Sequence, residues 1–219
     1  MSPKSTYHHG DLKNALIQAG IDILAQKGIQ ALSLRRVARK AGVSHAAPYA
    51  HFADKQALIA AIATRGYERL YEKVHDAAQR YRPHPLRQLV ESSWAYVEFA
   101  LSDPAHFKTT LSGVVEKEQD YPAFVEISTK SFALVVEIVQ ACQQAGILHP
   151  GPPDLLAATL WAQVHGFVSL ILENQISHTV LERYSLKEML LFALNQITVA
   201  EIDPAAFAQD DSPISLPSE

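Results

Sequence analysis

Apolar residues in this chain recur at spacings of three and four almost from end to end, and no stretch alternates long enough to suggest a β-strand. That regularity restricts the fold to packed helices, with Gly and Pro marking where each one stops. Leu12, Leu16, Ala19 and Ile23 form one stripe on a helix from about Gly10 to Lys27, and Gly28 is placed to cap it. A second helix begins at Ser33, a good N-cap, and ends before Gly42. A short third runs from Ser44 to about His51, and Asp54 caps a fourth that continues past Tyr71. Beyond Pro83 and Pro85 comes a helix carrying Leu86 to Leu101, and Asp103-Pro104 opens another. Helices over about Pro122–Ala145 and Asp154–Glu173 follow, and the capping box Ser185-Leu-Lys-Glu188 starts a last one reaching about Ala200. The expectation is an all-α chain of about nine helices.

The hydrophobic fraction, 48% of 219 residues, is enough for a real core and excludes bulk disorder. Leu155 to Leu172 is uncharged over 18 residues, the lower limit for crossing a membrane. Thr159, Gln163, His165 and Ser169 interrupt it and two prolines precede it, so a buried helix is expected and no membrane. The single cysteine, Cys142, and an N-terminus without an apolar run point to a reducing, cytoplasmic setting.

Net charge is −4, but it is divided unevenly. Residues 1–55 hold eight Lys or Arg against three Asp, a net of +5, which leaves −9 for the remainder. A basic head on an acidic body suggests an anionic partner at one end, or a chance excess on a solvated helix face. Position favours the first. In SLRRVARKAGVSHAAPYAHFADK, residues 33–55, two short helices joined by Gly42-Val43-Ser44 fit a helix-turn-helix. Ala38 must be small where the helices cross, Gly42 permits the tight turn, and Leu34, Val37 and Val43 face inward. Ser44 caps the following helix, which exposes His45, Ala46, Ala47 and Tyr49 toward a major groove. Arg35, Arg36, Arg39 and Lys40 lie where phosphates would pass.

These strings, with HHGDLKNALIQAG before them and PYAHFADKQALIAA after, resemble the N-terminal domain of the tetracycline-repressor (TetR) family over Tyr7 to Leu70. The resemblance implies that Ser33 donates to a phosphate and that Tyr49, His51 and Lys55 grip the DNA backbone. It sets Ser44, His45, Ala46 and Ala47 at base-facing positions. Two alanines there leave little hydrogen-bond readout, so thymine methyl contact and DNA shape carry more of the specificity. Pro48 departs from the pattern, standing where many members carry an aliphatic core residue inside a helix barely two turns long. His51 has the alternative of packing under Tyr49, and Phe52 belongs to the core. His8 and His9 point apart on a helix and suit a flexible arm beside DNA better than a metal pair.

The body, from about Pro83, resembles one branch of the family's regulatory domain through Trp161, His165 and Gly166 in WAQVHGF. Trp161 and His165 share a helix face; His165 is either a satisfied core histidine or part of a cavity wall. Trp94, Phe99, Phe107, Phe124 and Phe132 would supply aromatic lining, and His106, Thr110 and Gln163 polar points. Phe99 lies off the stripe of Trp94 and Val97. No permanent positive charge stands in these apolar stripes, which favours a neutral or weakly polar effector. The two last helices are apolar on more faces than one domain hides, so a homodimer is expected, binding a palindromic operator in double-stranded DNA.

The expected organisation is therefore a helix-turn-helix domain over 1–55, a connecting helix over 56–82, a ligand-binding and dimerisation bundle over 83–202, and a mobile tail over 203–219. The leading reading is a repressor released from its operator by a small molecule, with no cofactor and no metal. A ligand-independent architectural DNA-binding protein is the alternative. A metallohydrolase using the ten histidines is remote, since no Gly-x-Ser-x-Gly elbow, HExxH or phosphate loop occurs.

Overall fold

The computed structural model describes residues 9–111, 113–199, 201–203 and 207. Among the described residues the chain forms nine α-helices and no strand, with one isolated bridge pairing Leu148 and Thr198. The helices are α1 (His9–Lys27), α2 (Leu34–Lys40), α3 (Lys55–Arg80), α4 (Pro85–Ser102), α5 (Pro104–Leu111), α6 (Pro122–Gln144), α7 (Pro153–Leu172), α8 (His178–Leu181) and α9 (Leu186–Asn195). The all-α expectation holds, with one exchange. The segment expected as a third α-helix is a 3-10 turn over Ala47–Ala50, and the four-residue α8 was not foreseen. A helix of four residues shows too little period to be read from sequence.

Two compact units divide the chain, Met1–Glu68 with Pro104–Ser128 and Arg69–Asp103 with Thr129–Glu219. Neither is continuous in sequence, whereas punctuation at Pro83 and the end of the basic segment suggested breaks near 55 and 83. Proline marks where a helix begins; it does not mark which helices pack together. In the first unit α1 packs on both α2 and α5. Leu16, Val37, Leu58 and Ile62 are fully buried at its centre, and Ala38 is equally buried where small size was required.

Helix α5 is fixed to α3 inside this unit at very short range. The buried His106 ring donates from Nε2 to the Ile62 carbonyl at 3.0 Å. A Cβ on Gly66 would lie 2.9 Å from Thr110 Cβ, 3.0 Å from His106 Nε2, and nearer still to Thr110 Oγ1. The Thr110 hydroxyl is buried without a conventional partner, and it faces the Gly66 Cα, the geometry of a weak Cα–H···O contact. Only glycine allows the two helices to meet this closely.

In the second unit α4 packs on α7 and α9, and α7 on α9. The stripe Ala157, Leu160, Val164, Val168 and Ile171 buries one face of α7, but only 28% of its apolar window is buried. As expected of helices apolar on more faces than one domain hides, Leu155, Trp161 and Leu170 on α7 and Phe192 on α9 are exposed, Phe192 at 71%. Cys142 is fully buried, donates to the Pro85 carbonyl at 3.3 Å, and has its pKa pushed up to about 12 by burial, so the thiol is unreactive.

The capping box forms as expected. Ser185 Oγ accepts from the Glu188 N–H at 3.2 Å and Glu188 Oε2 accepts from the Ser185 N–H at 2.7 Å. Helix α9 stops at Asn195, short of the expected Ala200, and the Asn195 Oδ1 accepts from the Ile202 N–H at 2.6 Å as the chain turns back. Of the expected mobile tail, all but Asp203 and Phe207 lie outside the described residues, and Phe207 is buried. Its aromatic side chain joins the fold where composition alone suggested a tail.

Two outcomes follow from these contacts. Gly66→Ala destabilises the protein by about 1–3 kcal/mol in urea unfolding, because overpacking outweighs the roughly 1 kcal/mol that Ala gains over Gly in helix propensity. Hydrogen bonds to Ser185 hold the Glu188 pKa below its ordinary 4.5, so its stabilisation is present above that value and lost as pH falls through the lowered one. Glu188→Gln flattens that acid limb in unfolding measured from pH 6 to about pH 3.

Candidate nucleic-acid interface and a polar node in the second unit

Ser33 caps α2, its Oγ accepting from the Arg36 N–H at 3.3 Å, and the hydroxyl proton remains available for an anion at that helix end. Gly42 adopts φ 70°, so the chain reverses there as the sequence required. Val43 is half-buried, as an inward position demands.

The next segment is governed by Pro48. Ala47 donates to the Ser44 carbonyl at 3.1 Å, Tyr49 to Ala46 at 3.1 Å and His51 to Pro48 at 3.0 Å, a succession of three-residue bonds. A proline without N–H cannot supply the four-residue bond that would propagate an α-helix here, and a 3-10 turn results. Its cap position is Ala46, with no side-chain cap, so Ser44 contributes its carbonyl and not the expected hydroxyl cap. Ser44, His45 and Ala46 are exposed and Tyr49 is 56% exposed, while Ala47, expected to be exposed, is half-buried and keeps part of its surface outward. In 3-10 geometry residues three apart eclipse, so Ala46 and Tyr49 stand on one edge.

The cations around this turn are not equivalent. Lys40 pairs with Asp22 at 3.1 Å, and Arg36 Nη1 donates to the Ala31 carbonyl at 2.9 Å. Arg35 and Arg39 are exposed and make no ion pair among the described residues. Lys55 opens α3 behind Asp54, whose Oδ1 accepts from the Ala57 N–H at 2.8 Å. Its ammonium donates to the Ile29 carbonyl at 3.1 Å, which points the side chain along the turn joining α1 and α2. An ammonium has three donors, so this bond leaves two for a phosphate. His51 is half-buried with its ring tilted against Phe52, which is buried core as expected. His8 lies outside the described residues.

The residues expected to line an effector cavity fall in both units, Phe132 and Gln163 in the second. Trp94, Phe99, Trp161 and His165 belong to the second; His106, Phe107, Thr110 and Phe124 belong to the first. Phe99, Phe107 and Phe124 are buried, Phe124 edge-on to Tyr67 at 5.6 Å. In the second unit a polar node forms around a residue the sequence reading missed. The Trp161 indole donates to the Tyr96 hydroxyl at 3.3 Å, and that hydroxyl lies 2.8 Å from His165 Nδ1. The phenol oxygen thus joins the indole N–H to the imidazole, and the direction of its bond with Nδ1 follows the histidine tautomer. Burial lowers the His165 pKa from its ordinary 6.5, favouring this neutral form. Phe132 packs on Trp161 with ring centres 6.3 Å apart. No signal in sequence couples Tyr96 to a histidine 69 positions away.

Comparison with known proteins agrees with this geometry. A model described as bacterial regulatory proteins, tetR family, matches residues 16–62, and one described as tetracyclin repressor-like, C-terminal domain, matches residues 89–194. The uncharacterized HTH-type transcriptional regulator YobS of Bacillus subtilis (strain 168) is 26% identical over 120 residues, which is 55% of this chain and only 60% of that protein's length. A solved structure from Rhodococcus sp. RHA1, described as a protein with unknown function, is 31% identical, with a TM-score of 0.72 over 88% of this chain and 96% of that one. A bacterial regulatory protein in the tetR family from Rhodococcus RHA1, 21% identical, shares the fold with a TM-score of 0.66 over 86% and 97%. A capped α2, a glycine turn and an exposed basic rim, found within a chain matched by both of the family's domain models, make this protein a member of the TetR family of DNA-binding transcriptional regulators.

Proposed function

We propose that the chain is a homodimeric repressor that leaves a two-fold symmetric operator when a small molecule binds its second unit. Ser33, Arg35, Arg36, Tyr49, His51 and Lys55 hold the phosphates, and Ser44, His45, Ala46 and Ala47 face the bases. The observation that carries the DNA-contact reading is the exposed edge of Tyr49 and Ala46 between the cap at Ser33 and the ammonium of Lys55. Exposed Leu155, Trp161, Leu170 and Phe192 on α7 and α9 support dimerisation, because a second copy would cover apolar surface that one chain leaves in water. A dimer sets two recognition turns about 34 Å apart, one turn of DNA, or a multiple of it.

The effector reading rests on the node of Tyr96, Trp161 and His165, where three polar atoms are organised within an aromatic wall. A ligand that binds one spacing of the two heads better than the DNA-bound spacing shifts the population away from DNA. If no small molecule alters operator affinity, the ligand-independent alternative replaces this part of the reading and leaves the DNA contacts standing.

Selection of bound sequences from random DNA should yield a two-fold symmetric site for the parent, and Tyr49→Ala should bind it more weakly. Each phosphate contact removed, as in Lys55→Ala, should lower the slope of log affinity against log salt by about 0.9. An unchanged slope in both variants would remove these residues from the interface. Phe192→Asp should sediment as a monomer and lose high-affinity retention of the symmetric site, while keeping the parent's helical circular dichroism.

A further inference from the structure

We propose that Lys187 is the anion-receiving group of the effector site in the second unit, and that the effector carries a carboxylate on an apolar body. This deepens the effector reading above and rests on it. Lys187 lies on the core face of α9 with Leu190, Leu191 and Leu194 and is only 3% exposed. Its ammonium is buried without a hydrogen-bond acceptor among the described residues, and what it faces is the ring of Trp94, 5.6 Å to the centroid. A cation over an indole recovers part of the hydration it has lost; a buried ammonium is fully satisfied only by an acceptor or a counter-charge.

The neighbouring acids are already committed. On α4, Glu91 pairs with Arg87 at 3.9 Å and Glu98 with Lys73 at 3.2 Å, and Asp103 after it pairs with Arg69 at 2.9 Å. Beside Lys187 on α9, Glu188 is turned to the Ser185 N–H. Glu91 Oε1 is itself buried without a hydrogen bond, and among the described residues no carboxylate hydrogen-bonds to the Lys187 ammonium. A ligand carboxylate supplies the missing acceptor and counter-charge together, and the half-buried Trp94 ring offers a flat apolar platform for the rest of the molecule. One buried cation suits a monocarboxylate and leaves a second ligand charge unmatched. The sequence suggested a neutral or weakly polar effector because no permanent positive charge stands in the apolar stripes; the burial of Lys187 is a tertiary fact.

The test pairs carboxylates with their neutral amides on the full chain: acetate and acetamide, benzoate and benzamide, octanoate and octanamide. Binding is followed at the lysine Nζ by 15N NMR, with the Lys187 signal assigned by its loss in Lys187→Arg, and by release of the selected operator. At least one carboxylate should move the Lys187 signal and weaken operator binding by about tenfold, while its amide does neither. Lys187→Met should lose that release, Lys187→Arg should retain it, and Lys187→Met should melt no lower than the parent, because an unpartnered buried charge is gone. A silent Lys187 signal with every carboxylate, an equal response to acid and amide, or release that persists in Lys187→Met overturns the proposal. Release by amides alone would leave effector sensing in place and remove the carboxylate. A chain that retains no operator at all would instead sink the repressor reading.

Discussion

The contact on which the first unit depends is the meeting of α5 with α3 at Gly66. A side chain as small as methyl is excluded there by Thr110 and His106, and the His106 ring adds a directed bond to the Ile62 carbonyl. Helix α5 comes from beyond residue 103, yet it shares a core with α1 and the basic segment. The unit carrying the proposed DNA contacts is thus completed by a helix that sequence alone would assign to the body. Whatever alters the position of α5 acts on α1 and α3 directly, with no intervening flexible joint.

The recognition segment follows a different constraint. Proline at 48 removes one N–H, and with it the bond that an α-helix needs at that point, so the segment tightens to a 3-10 turn. The turn still presents Ser44, His45, Ala46 and Tyr49 outward, because its bounding features are fixed elsewhere: Gly42 before it, and buried Phe52 after it. In the proposed function, readout by a short turn bearing alanines would depend on shape and methyl contact more than on paired hydrogen bonds.

In the second unit, polar groups are set into an apolar bundle in two ways. Tyr96, Trp161 and His165 hydrogen-bond to one another through the Tyr96 hydroxyl. Among the described residues, Lys187 has an aromatic face and no hydrogen-bond acceptor.

Much was legible before any coordinates. Helical periodicity gave the elements, because a 3.6-residue repeat of apolar side chains is local information; the cap at Ser33, the turn at Gly42 and the capping box at Ser185 are likewise short-range chemistry. Tertiary structure decided which helices share a core, why α7 keeps apolar faces outward, that Ala47 is half-buried, that Tyr96 reaches His165, and that Lys187 is enclosed. These are relations between residues far apart along the chain. Periodicity specifies which side of a helix must be covered and leaves open what covers it, and a lysine's cost or use depends on that cover.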